Sequence, residues 1–263
     1  MINRIVALLI RYQNIALGSM PRLISIFYWP TVQILFWGFF TNYFYQINEF
    51  NIWSSLNVIL SAVVLWDVLF RSQLGLSMSF FEELWSRNLP NLFITPIKDH
   101  EIIISLLLIS FLRTILGLTP AIFFANYFFN FHLFELGLYL IFFFFNLTLI
   151  GWSIGLFVSA LVLRHGQSFE ELAWAIIFIV LPFSCVYYPL SSLPEIMQSF
   201  SSIFPTTMIF EEMRSLIFNS HVEYSNVIKI ICINIILLLL SSLFFLYTLN
   251  VVRKKGIMIN QGE

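Results

Sequence analysis

Uncharged apolar runs long enough to cross a lipid bilayer recur along this chain, and no other feature restricts its fold as much. Between Leu23 and Tyr45 there is not one Asp, Glu, Lys or Arg. About 20 such residues match a hydrocarbon core of ~30 Å, and inside that core each backbone N–H and C=O must be satisfied within the protein, which a helix does by itself. The 263 residues are 59% hydrophobic and only 10% charged, whereas a soluble domain carries roughly 25% charged residues. The expected fold is therefore all-α and integral to the membrane, a single transmembrane domain over residues 1–263.

Six spans are expected, at about 23–45, 55–80, 101–124, 136–163, 172–188 and 227–252. Ahead of them, in residues 1–22, Ile5, Leu8, Leu9, Tyr12, Ile15 and Ala16 recur at helical spacing, with Arg4 and Arg11 on another face. That pattern predicts a helix lying in the membrane interface. Arg11, Gln13 and Asn14 interrupt the run, which argues against a cleaved signal. Glu49 marks the far side of the first span, Pro120 predicts a kink in the third, and Pro182 falls within the fifth. Gly151 and Gly155 form a Gly-x-x-x-Gly pair suited to close helix packing. Cys185 and Cys232 sit in apolar runs without neighbouring ligands and read as packing residues. Residues 190–221 mix apolar positions with Pro194, Pro205, Glu195, Glu211, Glu212 and Arg214, and predict short helices dipping into the outer interface.

The net charge of −1 gives no field for nucleic acid, so the placement of the cations carries the signal. Arg4, Arg11, Arg22, Arg71, Arg87, Lys98, Arg164, Arg253, Lys254 and Lys255 fall on one side, against Arg214 and Lys229 on the other. The positive-inside rule then puts both termini in the cytoplasm of a multi-pass protein of the plasma membrane, the inner membrane in a Gram-negative cell. Asp67 and Arg71, one helical turn apart, and Arg113 are the deeply placed charges; they form either an intramembrane ion-pair group or a structural pair near the interface.

No Gly-x-x-x-x-Gly-Lys-Ser/Thr loop occurs, so ATP, if used, is hydrolysed by another polypeptide. His100, His132, His165 and His221 are scattered near span boundaries, and no catalytic or metal-binding set is singled out. Between spans two and three lies the longest polar connection, where Leu84, Trp85, Leu89, Leu92 and Phe93 recur at roughly helical intervals beside Glu82, Glu83 and Arg87. An amphipathic helix here, with Trp85, Leu89 and Phe93 exposed, can dock into a groove on a partner, and Glu82, Glu83 and Arg87 can fix its register. Glu170 and Glu171 read as a solvated helix start.

This order of elements resembles the ABC-2 family of transporter permeases over nearly the whole chain. The most specific stretch is 82–101, where Glu83-Leu84-Trp85-Ser86-Arg87-Asn88-Leu89, Leu92 and Thr95-Pro96-Ile97 look like the family's coupling helix and the turn after it. Tyr188-Pro189-Leu190, Leu193-Pro194, Phe204-Pro205-Thr206 and Phe210-Glu211-Glu212-Met213-Arg214 resemble its outer Pro pair and the helix that follows, with Pro194, Pro205, Glu211 and Arg214 as outer-gate candidates. The resemblance implies a permease, not itself an enzyme, that pairs with a second copy and binds two copies of a cytoplasmic ATPase. ATP and Mg are then bound by that ATPase and no cofactor by this chain. The cargo is expected to be amphipathic, lipid-linked or a glycan, and Tyr28, Trp29, Trp37, Tyr43 and Trp66 are aromatics able to line its path. Two other classes stand beside this reading: a membrane-embedded lipid-modifying enzyme, which needs clustered His, Asp or Ser, and a noncatalytic anchor or receptor.

Overall fold

The computed structural model describes residues 1–47 and 53–255; Glu49 lies outside them. Among the described residues the secondary structure is helical throughout: α1 (Ile2–Leu17), α2 (Met20–Ile47), α3 (Trp53–Trp85), α4 (Leu89–Ile94), α5 (Asp99–Phe129), α6 (Leu138–His165), α7 (Leu172–Val180), α8 (Glu195–Ser201), α9 (Pro205–Asn219) and α10 (Tyr224–Lys255), with short 3-10 turns between some of them. Five of these, α2, α3, α5, α6 and α10, are long and apolar enough to cross a membrane. The chain is a multi-pass helical membrane protein.

The fifth expected span is where the structure departs from the sequence reading. In place of a helix over 172–188, α7 stops after nine residues and gives way to a 3-10 turn at Leu181–Phe183 that contains Pro182. Nine residues rise only about 13 Å, less than half the hydrocarbon thickness. Proline has no N–H to continue the ladder, and its ring clashes with the preceding turn. The chain then continues through the short helices α8 and α9 before α10 begins.

α3 is the central column: 72% of its most apolar stretch is buried, against 17% for α2 and 22% for α10. Apolar residues gain little by leaving lipid for other apolar residues, so helices in a membrane are held by close packing and polar contacts. Gly151 and Gly155 serve the first: a Cβ at Gly151 would run into Ser72 Oγ and the Leu69 carbonyl, so α6 lies directly on the backbone of α3. The second is served by two buried asparagines, Asn234 Nδ2 donating to Asn146 Oδ1 at 2.9 Å to tie α10 to α6. Of the two cysteines, Cys185 is buried as expected, whereas Cys232 is exposed on α10 and does not pack inside. α5 continues as one helix through Pro120.

The helices alternate in direction, so α1, the end of α3, α4, the start of α5 and the end of α10 meet at one end of the molecule. Arg4 reaches Glu101 at 2.8 Å and Arg253 reaches Asp99 at 2.6 Å, which joins α1, α5 and α10 there. This is the basic end, and α8 and α9 occupy the opposite region.

Candidate functional site

At the basic end, consecutive carboxylates on the last turn of α3 divide their work. Glu83 is buried and grips Arg11 of α1 through two bonds, Nε to Oε1 at 2.6 Å and Nη2 to Oε2 at 3.1 Å, while Asn88 Nδ2 donates to its Oε2 at 2.8 Å. The bond to Glu83 holds the Arg11 guanidinium above its ordinary pKa. Glu82, also buried, faces Arg113 of α5 at 3.3 Å and Arg22 of α2 at 3.6 Å. Glu101 closes the start of α5 by accepting the Lys98 N–H at 2.9 Å, and Arg4 bonds both Glu101 and the Pro96 carbonyl. Arg253 lies 4.4 Å over the Phe93 ring, a cation–π contact beside its pair with Asp99. The short connection containing α4 is thus latched at both ends, to α1 by Arg11 and Arg4 and to α10 by Arg253.

This arrangement corrects the sequence reading of the connection. Glu82, Glu83, Leu84 and Trp85 belong to α3, and the separate helix α4 has only six residues. Leu89 and Leu92 are buried in one cluster with Leu8 and Tyr12 of α1, so Leu89 is not an exposed docking residue. Glu82 and Glu83 are occupied inside the chain. Phe93 is half-buried, while Trp85, Arg87, Asn91 and Ile94 are exposed, Ile94 at 84%. Trp85 Nε1 donates to Glu170 Oε1 at 2.7 Å, so Glu170 is tied to α3 and not simply solvated; burial is the main cause holding its pKa above the usual carboxylate value. Arg87 takes a left-handed φ of 51°, and the bonds Asn88 N to Glu83 O and Arg87 N to Leu84 O close the end of α3 as a Schellman turn.

Above Glu82 opens a cavity of about 650 Å³ between α2, α3 and α7, with Arg113 of α5 on its floor. Its apolar walls include Trp29, Trp66, Phe70, Trp174, Ile177, Phe178 and Leu181, and its polar groups include Arg22, Gln33, Arg71, Glu82 and Arg113. Trp29, Trp174 and Phe178 are exposed, so the cavity opens along the flank of the helices. The expected trio of deep charges is divided: Arg71 Nε donates to Asp67 Oδ2 at 3.4 Å, and Arg113 turns instead to Glu82 and the Tyr12 carbonyl. Of the aromatics named from sequence, Trp29 and Trp66 line the cavity, and Trp37 stacks on the lining residue Tyr187 at 4.4 Å.

The outer-gate candidates cluster around the turn after α7. Arg214 donates to the carbonyls of Cys185 at 2.6 Å and Val186 at 3.2 Å and to Glu211 Oε1 at 2.7 Å, and that same oxygen accepts the Leu190 N–H at 2.8 Å. Glu211 and Arg214 therefore clamp the turn. Pro194 and Pro205 begin α8 and α9. Glu212 accepts from the Glu223 N–H and Asn226, fixing the entry to α10. The sequence reading missed Trp174, Gln33 and Tyr187 as cavity residues, and the Asn146–Asn234 tie; two asparagines in otherwise apolar runs were the available signal.

No protein-family model matches the chain, and no curated protein matches it.

Proposed function

We propose that the chain is the membrane permease subunit of an ATP-binding cassette exporter of the ABC-2 type, moving an amphipathic, lipid-linked or glycan cargo with ATP hydrolysed by a separate protein. The observation that carries this reading is the latched connection at the basic end, which projects exposed Ile94 and Asn91 away from the helices while its own two ends are tied to α1 and α10. A force applied there by a partner passes through Glu83–Arg11 and Glu101–Arg4 to α1, and through Glu82 to α2 and α5 around the cavity. The exposed aromatic face of α2, with Phe27, Phe36 and Phe39, is where a second copy closes the flank of the cavity into a pathway. In this reading the basic end and both termini face the cytoplasm, and the membrane is the plasma membrane or a bacterial inner membrane. Two ATPase subunits bind ATP and Mg below the pair, and this chain is not itself an enzyme.

The test is affinity purification of the tagged chain from its own host. A phosphate-loop ATPase is expected in the complex, and Ile94→Asp is expected to remove it while the chain still inserts and purifies. Ile94 is exposed, so loss of the partner in this variant does not reflect a damaged core. Absence of any such ATPase, or its undiminished recovery with Ile94→Asp, overturns the proposal.

A further inference from the structure

We propose that the cavity between α2, α3 and α7 binds an anionic amphiphile, an alkyl chain carrying a phosphate-class headgroup. Calling that ligand the cargo rests on the permease reading; the binding itself stands on the cavity.

The cavity is two-sided in chemistry. Toward α7 its walls are Trp66, Phe70, Ile177, Phe178 and Leu181, a surface for an alkyl chain. Toward the basic end, Arg22, Arg71 and Arg113 line it together with the carboxylate of Glu82, and Asp67 stands behind Arg71. Three guanidinium groups thus meet two carboxylates.

The pairs are also loose. The shortest separations are 3.4 Å for Arg71–Asp67, 3.3 Å for Arg113–Glu82 and 3.6 Å for Arg22–Glu82, where a strong charge-assisted bond spans about 2.7 to 2.9 Å. Arg11 and Glu83, one residue away in sequence but outside the cavity, reach 2.6 Å. Arg71 Nη2 and Arg113 Nε are enclosed without a partner. Asp67 Oδ1 is unpartnered as well, so Asp67 and Arg71 balance each other in charge, and the excess resides on Arg22 and Arg113 around the single Glu82. A guanidinium presents five N–H donors in a fork that matches phosphate oxygens, and in apolar surroundings its under-neutralised charge acts more strongly than in water. A cationic amphiphile is repelled by the same excess, and a neutral headgroup gains nothing from it. The volume, about 650 Å³, lies within the range of small-molecule sites.

The experiment uses the purified chain without any ATPase, in nanodiscs of zwitterionic lipid. The emission of Trp29, Trp66, Trp85 and Trp174, all in the cavity lining, is followed during titration with dodecyl phosphate, dodecyltrimethylammonium, dodecyl maltoside or inorganic phosphate, with partition into empty nanodiscs subtracted. Saturable binding of dodecyl phosphate is expected, about tenfold or more tighter than the cationic and neutral chains, with no response to inorganic phosphate alone. Arg113→Gln is expected to weaken binding about tenfold, and Glu82→Gln to tighten it severalfold by releasing Arg22 and Arg113. Misfolding cannot tighten binding, so the opposite signs separate charge from structure; if Arg113→Gln does not fold, Arg22→Gln, whose side chain is 42% exposed, replaces it. Equal affinity for the three headgroups, a full response to inorganic phosphate, or unchanged or weaker binding with Glu82→Gln overturns the proposal. Since no ATPase is present, failure here leaves the permease reading standing, and failure of the co-purification leaves the binding site standing.

Discussion

Glu82 and Glu83 are neighbours that differ in the quality of their partners, and the difference is set by which helix each one faces. Glu83 is 1% exposed and holds a two-point bond to Arg11, whose side chain is 40% exposed. A charged hydrogen-bonded pair of this kind contributes about 1 to 2 kcal/mol after allowance for the solvated arginine. Glu83→Gln keeps the shape and removes the charge, so its apparent unfolding midpoint in detergent is expected to fall, with α1 more open to protease. Arg11→Gln is expected to give a similar loss, and the double variant less than the sum of the two, because both remove one interaction. An unchanged midpoint in Glu83→Gln contradicts the latch. Arg4 and Arg11 were visible in the sequence as a second face of an amphipathic helix, but their partners lie 97 and 72 residues away and no local spacing encodes them.

The turn after α7 shows at the level of an element why hydropathy alone misjudged one span. Residues 172–188 are uncharged, mostly apolar and almost long enough to cross, so the run reads as a helix. Its interruption depends on contacts made by a different element: besides Arg214, Thr207 donates to the Phe183 carbonyl at 2.7 Å, and Ser184 shares a 2.9 Å bond with Thr206. α9 thus satisfies backbone and side-chain groups that a continuous helix would satisfy itself. Arg214→Met preserves much of the side-chain volume and removes three donated bonds, an expected destabilisation of about 2 to 4 kcal/mol. The cleavage rate by a protease added on the side of α8 and α9 measures it, and an unaltered rate rules out the clamp. The five long spans were legible because each nearly uncharged run exceeds the bilayer requirement. The burial of Leu89 and Leu92 was not, since amphipathic spacing identifies an apolar face without saying whether α1 already covers it. The cavity was legible only in fragments, as Trp29, Trp66, Arg71, Glu82, Trp85 and Arg113, because tertiary packing decides which of them meet.

For the whole molecule, the uneven burial of the spans is informative. α3 is enclosed, α10 presents mostly aliphatic residues to its surroundings, and α2 presents a row of aromatics that includes Phe27, Phe36 and Phe39. In the proposed paired arrangement, and with the exposed Cys232 replaced by Ser, Phe36→Cys on α2 is expected to form a disulfide-linked dimer under mild oxidation, whereas Leu243→Cys on the exposed side of α10 is not. Equal cross-linking at both positions would remove α2 as the contact face. α7 adds a mechanical consequence to this pairing. Its nine-residue helix is shorter than the hydrocarbon core, and a bilayer thicker than its protein wall must thin locally at a cost of fractions of a kcal/mol per Å. A second copy seated on that flank, as the permease reading proposes, would remove the mismatched boundary, so membrane elasticity would help to hold such a pair together, and longer acyl chains are expected to strengthen the association.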